Sequence, residues 1–186
     1  MAETDPRKAA RTTFMLVIFI TVMGAYGVFR GGQALTDLHF ERGIAADEAR
    51  LADVAFLEAF HDDPNRRPLA AANILVSLML LGGTALLSLR HRHAVWWLRQ
   101  ALVANVIWIG LHLASTLHHS YRIAPELLAL LEAGTGGLIT SGESRFEWLI
   151  VTLVVFAALN VGAHLFVAWR IGGADVRQYL KPANTE

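Results

Sequence analysis

Four predominantly apolar stretches divide the chain, at residues 13–29, 69–89, 94–117 and 148–169. A helix needs about 20 apolar residues, within a range of roughly 17–25, to cross a hydrocarbon core about 30 Å thick. All four runs fall in that range, the first at its short end. Lipid offers no partner for a bare amide, so each run is predicted to be a helix. The fold class expected is all-α, an integral membrane four-helix bundle, with residues 1–186 forming a single transmembrane domain.

The polar stretches carry weaker patterns of their own. In the first long loop, residues 30–68, Ala45, Ala49, Ala52, Phe56, Ala59 and Phe60 recur at helical spacing, with Asp47, Glu48, Arg50 and Asp53 on other faces. This predicts an amphipathic helix that ends at Asp62-Asp63-Pro64-Asn65. Its polar face is acidic, whereas helices lying on a membrane surface favour basic ones, so packing over the bundle or against a partner fits better. In the second long loop, residues 118–147, a short helix is expected from Pro125, broken by Gly134, Gly136 and Gly137. Ser144-Arg145-Phe146-Glu147 matches a capping box and is taken as the start of the fourth helix. The tail from Val176 to Glu186 is expected to be loosely ordered.

Basic residues set the orientation. Arg7, Lys8 and Arg11 precede the first run, Arg90 and Arg92 fill the turn between the second and third, and Arg170, Arg177 and Lys181 follow the fourth. Basic residues beside spans mark the cytoplasmic side, which puts both termini in the cytoplasm and the two long loops outside. Trp96, Trp97 and Trp169 then fall at the inner interface, and Trp148 and Tyr121 at the outer one. A cleaved signal peptide is the rival for the first run, with Ala25-Tyr26-Gly27 as a small-x-small site. Cleavage there leaves three spans with unchanged orientation.

Composition then narrows the chemistry. Arg and Lys together number 16, as do Asp and Glu, and the net charge is +0, so no basic stripe is available for nucleic acid. Hydrophobic residues make up 54% of the chain and mean hydropathy is +0.42. There is no cysteine, which removes disulfides, thiolate metal sites and thiol redox chemistry. Lysine occurs only at positions 8 and 181 against many arginines, alanines, leucines and glycines. That usage fits a GC-rich bacterial genome and hence the bacterial cytoplasmic membrane.

Two sets of polar residues are candidates for function. The first lies within the spans: Asn73, Asn105, His112, Asn160 and His164, at depths where polar groups need a reason. Asn105, His112 and His119 are spaced by sevens, with Ser115 near the same stripe. Asn73, Ser77, Thr84 and Ser88 keep to one face of the second run, and Thr152, Asn160 and His164 are separated by multiples of four. All three stripes are expected to turn inward, with Asn105 level with Asn160 and Asn73 level with His112. Helix-to-helix hydrogen bonding is the simplest use of such groups. A haem shared by His112 and His164 is disfavoured, since they lie roughly 9 Å outward and 8 Å inward of the span centres.

The second set is extramembrane: His39, Glu58, His61, His118 and His119. Glu58 and His61 stand at i and i+3, the spacing used by carboxylate-bridged metal bundles, and imidazole with carboxylate suits zinc, copper, iron or manganese. Only one such Glu-x-x-His is present where a two-metal bundle needs two, so neither metal nor haem is favoured as a cofactor. The Arg90-His91-Arg92-His93 turn reads as an orientation signal that could touch anionic lipid. Gly82-Gly83 reads as a close-packing notch. No Walker sequence, nucleophile elbow or His-Glu-x-x-His is present.

The function expected is that of a non-enzymatic accessory or scaffold subunit, with the bilayer, other membrane proteins or a second copy as partners. The alternatives are a transporter or channel subunit using the polar seam, and a metal-dependent or redox enzyme using the outer histidines.

Overall fold

The computed structural model describes residues 5–36, 63–135 and 140–181, and they are helical apart from short turns. The helices are α1 (Pro6–Thr36), α2 (Arg66–Ser88), α3 (Ala94–Thr135), α4 (Thr140–Ile171) and the short α5 (Ala174–Tyr179). Four segments are long and apolar enough to cross a membrane: Pro6–Thr36, Arg66–Ser88, Ala94–Pro125 and Ile150–Ile171. The amphipathic helix expected near residues 45–60 lies outside the described residues.

Neighbours in sequence are neighbours in space. α2 packs between α1 and α3, α4 lies on α3, and α1 meets α4 only slightly. The α1–α2 contact follows from residue size. On α2 the buried positions are Ala70, Asn73, Ser77, Leu80, Thr84 and Leu87, alternating by three and four, with Gly83 beside Thr84. That repeat keeps one stripe against a partner helix along its whole length. Facing it, α1 presents Gly24, Gly27 and Gly31. A side-chain carbon at Gly24 would lie 3.1 Å from the Ser77 carbonyl oxygen, one at Gly31 would lie 2.9 Å from that of Ala70, and one at Gly27 would run into the Ser77 hydroxyl. Small residues therefore let the two backbones approach where a Cβ would hold them apart.

Larger side chains fill the other half. Leu16, Ile20, Leu80, Leu87, Leu98, Leu102, Val167 and Ile171 form one apolar cluster, to which Val176 of α5 belongs. Gly83 receives Leu98 and Trp97, so the Gly82-Gly83 notch is the seat of α3.

The turn after α2 has a defined geometry. The His91 amide donates to the Leu86 carbonyl and that of Arg90 to Leu87, with Arg90 at φ 55°. This is the Schellman arrangement, with arginine where glycine is usual. The Arg90 guanidinium sits 4.5 Å from the centre of the Tyr179 ring, which ties the turn to α5. α5 also packs on α1. The start of α1, the 89–93 turn, the end of α4 and α5 thus gather at one basic end of the molecule.

Three boundaries differ from the sequence reading. α3 does not stop near residue 117 and restart at Pro125; it runs on to Thr135 with Pro125 inside it. No glycine or second proline lies between residues 118 and 124, and Glu126-Leu127-Leu128-Ala129 beyond are good helix formers. One proline removes one backbone bond without separating the segments. α4 begins at Thr140, so Ser144 and Glu147 lie within the helix rather than at its cap. The tail is not loose at its start: Val176 is fully buried, because α5 folds back on α1.

Candidate functional site

The polar residues of the four long apolar helices divide into a bonded seam and an exposed remainder. Asn73, Asn105 and His164 are buried, as are Ser77 and Thr84 on the α2 stripe. The Asn73 amide donates to the Gly27 carbonyl of α1 at 3.0 Å. Asn105 donates to the Val76 carbonyl of α2 at 3.3 Å and to Ala101 of its own helix at 3.1 Å. Two tryptophans of α3 do the same, Trp97 to the Met79 carbonyl at 3.0 Å and Trp108 to Leu69 at 2.8 Å. As α3 descends past α2, its donors at 97, 105 and 108 thus meet carbonyls at 79, 76 and 69. Each carbonyl in a helix keeps a second lone pair after its own i+4 bond, and these side chains use it.

The expected pairs do not form. Asn105 meets α2 instead of Asn160, and Asn73 meets α1 instead of His112. Asn160 and His112 are exposed on the surface of the chain. Thr152, three steps of four from His164, ends roughly 120° away, because each step drifts roughly 40° at about 3.6 residues per turn. Asn160 is one step from His164 and keeps to its side of α4, so its exposure is set by its level along the helix. α4 touches the rest of the molecule through His164, Val167 and Ile171, near its basic end. Asn160 stands off that contact among Phe156 and Leu159, both exposed. His112 lies flat against Trp108, ring centres 5.1 Å apart and planes 7° from parallel. His164 spends one nitrogen locally: Nδ1 lies 2.8 Å from the Asn160 carbonyl, which can only accept, so Nδ1 is the donor in that bond.

At the end opposite the basic one, a polar cluster joins α2 to α3. The Ser115 hydroxyl donates to Asp63 Oδ2 at 3.3 Å and accepts from the Asn65 amide at 3.1 Å. Asp63 Oδ1 also takes the Asn65 backbone amide at 2.9 Å, closing the turn that starts α2. Asp63 is thus a clasp that fixes both the helix start and its neighbour. Periodicity puts Asp63 at the end of a loop helix, and nothing local marks it as a partner of Ser115, which is 52 residues away.

Of the second candidate set, His39, Glu58 and His61 lie outside the described residues. His118 is exposed and His119 buried, so the adjacent pair does not present its rings to one site. Among the described residues no three histidines or carboxylates converge in a way that could hold a metal ion. What the arrangement does chemically is hold helices: each bonded polar group named above is engaged with backbone or with another polar side chain.

Four apolar helices of this length fit a multi-pass membrane protein. No protein-family model, curated protein or solved structure matches the chain.

Proposed function

We propose that the chain is an accessory or scaffold subunit of a membrane complex, docking a membrane partner through the exposed face of α4. The observation that carries this reading is Asn160. It lies about midway along a span whose exposed side chains are otherwise apolar apart from Thr152, whose hydroxyl is spent on the Trp148 carbonyl; they include Val151, Val155, Phe156, Leu159 and Phe166. An amide facing hydrocarbon is unsatisfied, and a neighbouring helix that supplies a carbonyl or a second amide relieves it. α4 has the surface to spare, with only 11% of its apolar window buried within the chain. His112, exposed on α3, is a second polar group with the same need.

On this reading the membrane is the bacterial inner membrane, and the basic end, with both termini, faces the cytoplasm. Support comes from Arg11, Arg90, Arg92 and Arg170, which gather at that end.

The absence of cysteine makes the test direct. Phe156→Cys, one turn from Asn160 and on its side of α4, should cross-link in native membranes to a discrete partner, while Leu75→Cys on α2 should not. Asn160→Leu should reduce recovery of that partner without changing the stability of the chain. Equal cross-linking from α2 and α4, or a partner retained fully by Asn160→Leu, would remove α4 as the docking face. Solute flux that depends on Asn105 in reconstituted vesicles would turn the assignment toward transport.

A further inference from the structure

The packing order leaves one side of the molecule open. α1 and α4 are the first and last long helices, and they touch only slightly. Between them, at the basic end, runs a groove of about 540 Å³ lined by Arg11, Thr12, Met15, Leu16, Phe19, Phe166 and Arg170. Its composition changes with depth. Arg11 and Arg170 stand at its mouth. Phe19 lies eight residues further along α1, about 12 Å deeper, and no charged side chain lines that lower part.

The two guanidiniums are not equivalent. Arg170 is held in place: its Nη2 lies 3.4 Å from Asp175 Oδ2, and its guanidinium lies 5.7 Å from the Trp169 ring centre. Arg11 is exposed one helical turn beyond Arg7 and Lys8, with no ion pair to a described residue. Among the described residues Arg170 pairs with one carboxylate, Asp175, and Arg11 with none, so the mouth keeps net positive charge. Guanidinium is the side-chain group best matched to phosphate, because its planar fork offers paired donors.

Resting on the reading of this chain as a membrane protein, we propose that the groove binds one anionic phospholipid. Its phosphate lies between Arg11 and Arg170, and one acyl chain lies along Met15, Leu16, Phe19 and Phe166. The lipid completes the side that α1 and α4 leave open. A phosphorylated solute would use the mouth alone and leave the apolar wall bare, so the depth profile favours a lipid.

The full chain, purified in mild detergent, can be titrated with phosphatidylglycerol and with phosphatidylcholine and read by native mass spectrometry. Wild type should retain one phosphatidylglycerol at severalfold lower lipid concentration than phosphatidylcholine. Arg11→Gln should abolish that preference. Met15→Trp, which fills the groove and leaves both arginines, should abolish retention of either lipid. Arg92→Gln removes a basic residue of the same end outside the groove and should behave as wild type. Unchanged preference in Arg11→Gln would overturn the proposal, as would an equal loss in Arg92→Gln. Displacement by glycerol phosphate as readily as by the intact lipid would make the mouth a simple anion site. A chain that stays soluble without detergent would instead fail the membrane reading, before any lipid is added.

Discussion

Asn105 shows how a polar side chain inside an apolar helix can be read and misread. Its burial follows from the stripe it occupies, and the structure places it inward, donating to Val76. Bonds of this kind average about 0.6 kcal/mol and reach roughly 1.7 kcal/mol. Asn105→Leu should therefore lower stability by about that amount, seen as a small fall in the detergent unfolding midpoint, with partner recovery intact. An abrupt loss of folding would mean that the amide does more than bridge two helices. Which helix receives the bond was not legible, because periodicity fixes a face relative to its own axis and says nothing of what stands opposite. The spacing of fours does keep Asn160 on the side of His164, but spacing says nothing of how far along α4 a neighbour covers that side. Trp97 and Trp108 were missed as donors for a different reason: tryptophan in a span reads as an interface anchor or an apolar filler, and only a neighbouring carbonyl reveals its N–H.

Among the elements, α1 is the most instructive. A short basic segment followed by an apolar run is ambiguous between anchor and signal, and the charge pattern cannot separate them. Packing bears on the question. Ala25-Tyr26-Gly27 lies in mid-helix, and the Gly27 carbonyl receives Asn73. The intact mass of the protein from membranes should accordingly include α1; a chain beginning just after Gly27 would contradict this. Gly27→Leu should drive α1 off α2, since its first side-chain carbon already meets Ser77. A cost of about 1–3 kcal/mol is typical of such overpacking, so the unfolding midpoint should drop further than in Asn105→Leu. The second and third runs were legible to within a few residues at their basic ends, where the charges of the 90–93 turn interrupt the apolar pattern. The far end of α3 was not, because Pro125 is a strong local signal with a limited local effect. α5 was invisible for the opposite reason: six residues carry too little pattern, and its order comes from Val176 seating in the cluster.

For the molecule as a whole, the decisive feature is that three basic segments far apart in sequence share one end. Reporters fused after Arg92 and at the C terminus should report cytoplasm, and those near Asp53 and Gly136 the outside. An external signal from the 90–93 turn would invert the orientation. The two ends also differ in what holds them. Leucines, isoleucines and valines lock the basic end, whereas glycines, Asn73 and the Asp63–Ser115 clasp hold the other.

The bonds that Trp97, Asn105 and Trp108 make to α2 have a consequence for how substitutions are tolerated. Each donor is a side chain and each acceptor is a backbone carbonyl, which every residue type carries. Leu69, Val76 and Met79 could be exchanged for other residues of similar bulk without removing an acceptor, while Trp97, Asn105 and Trp108 could not be changed without removing a donor. A saturation scan of the two helices should therefore be lopsided: permissive at the three receiving positions and restrictive at the three giving ones. For these three bonds the instruction is written on α3 alone.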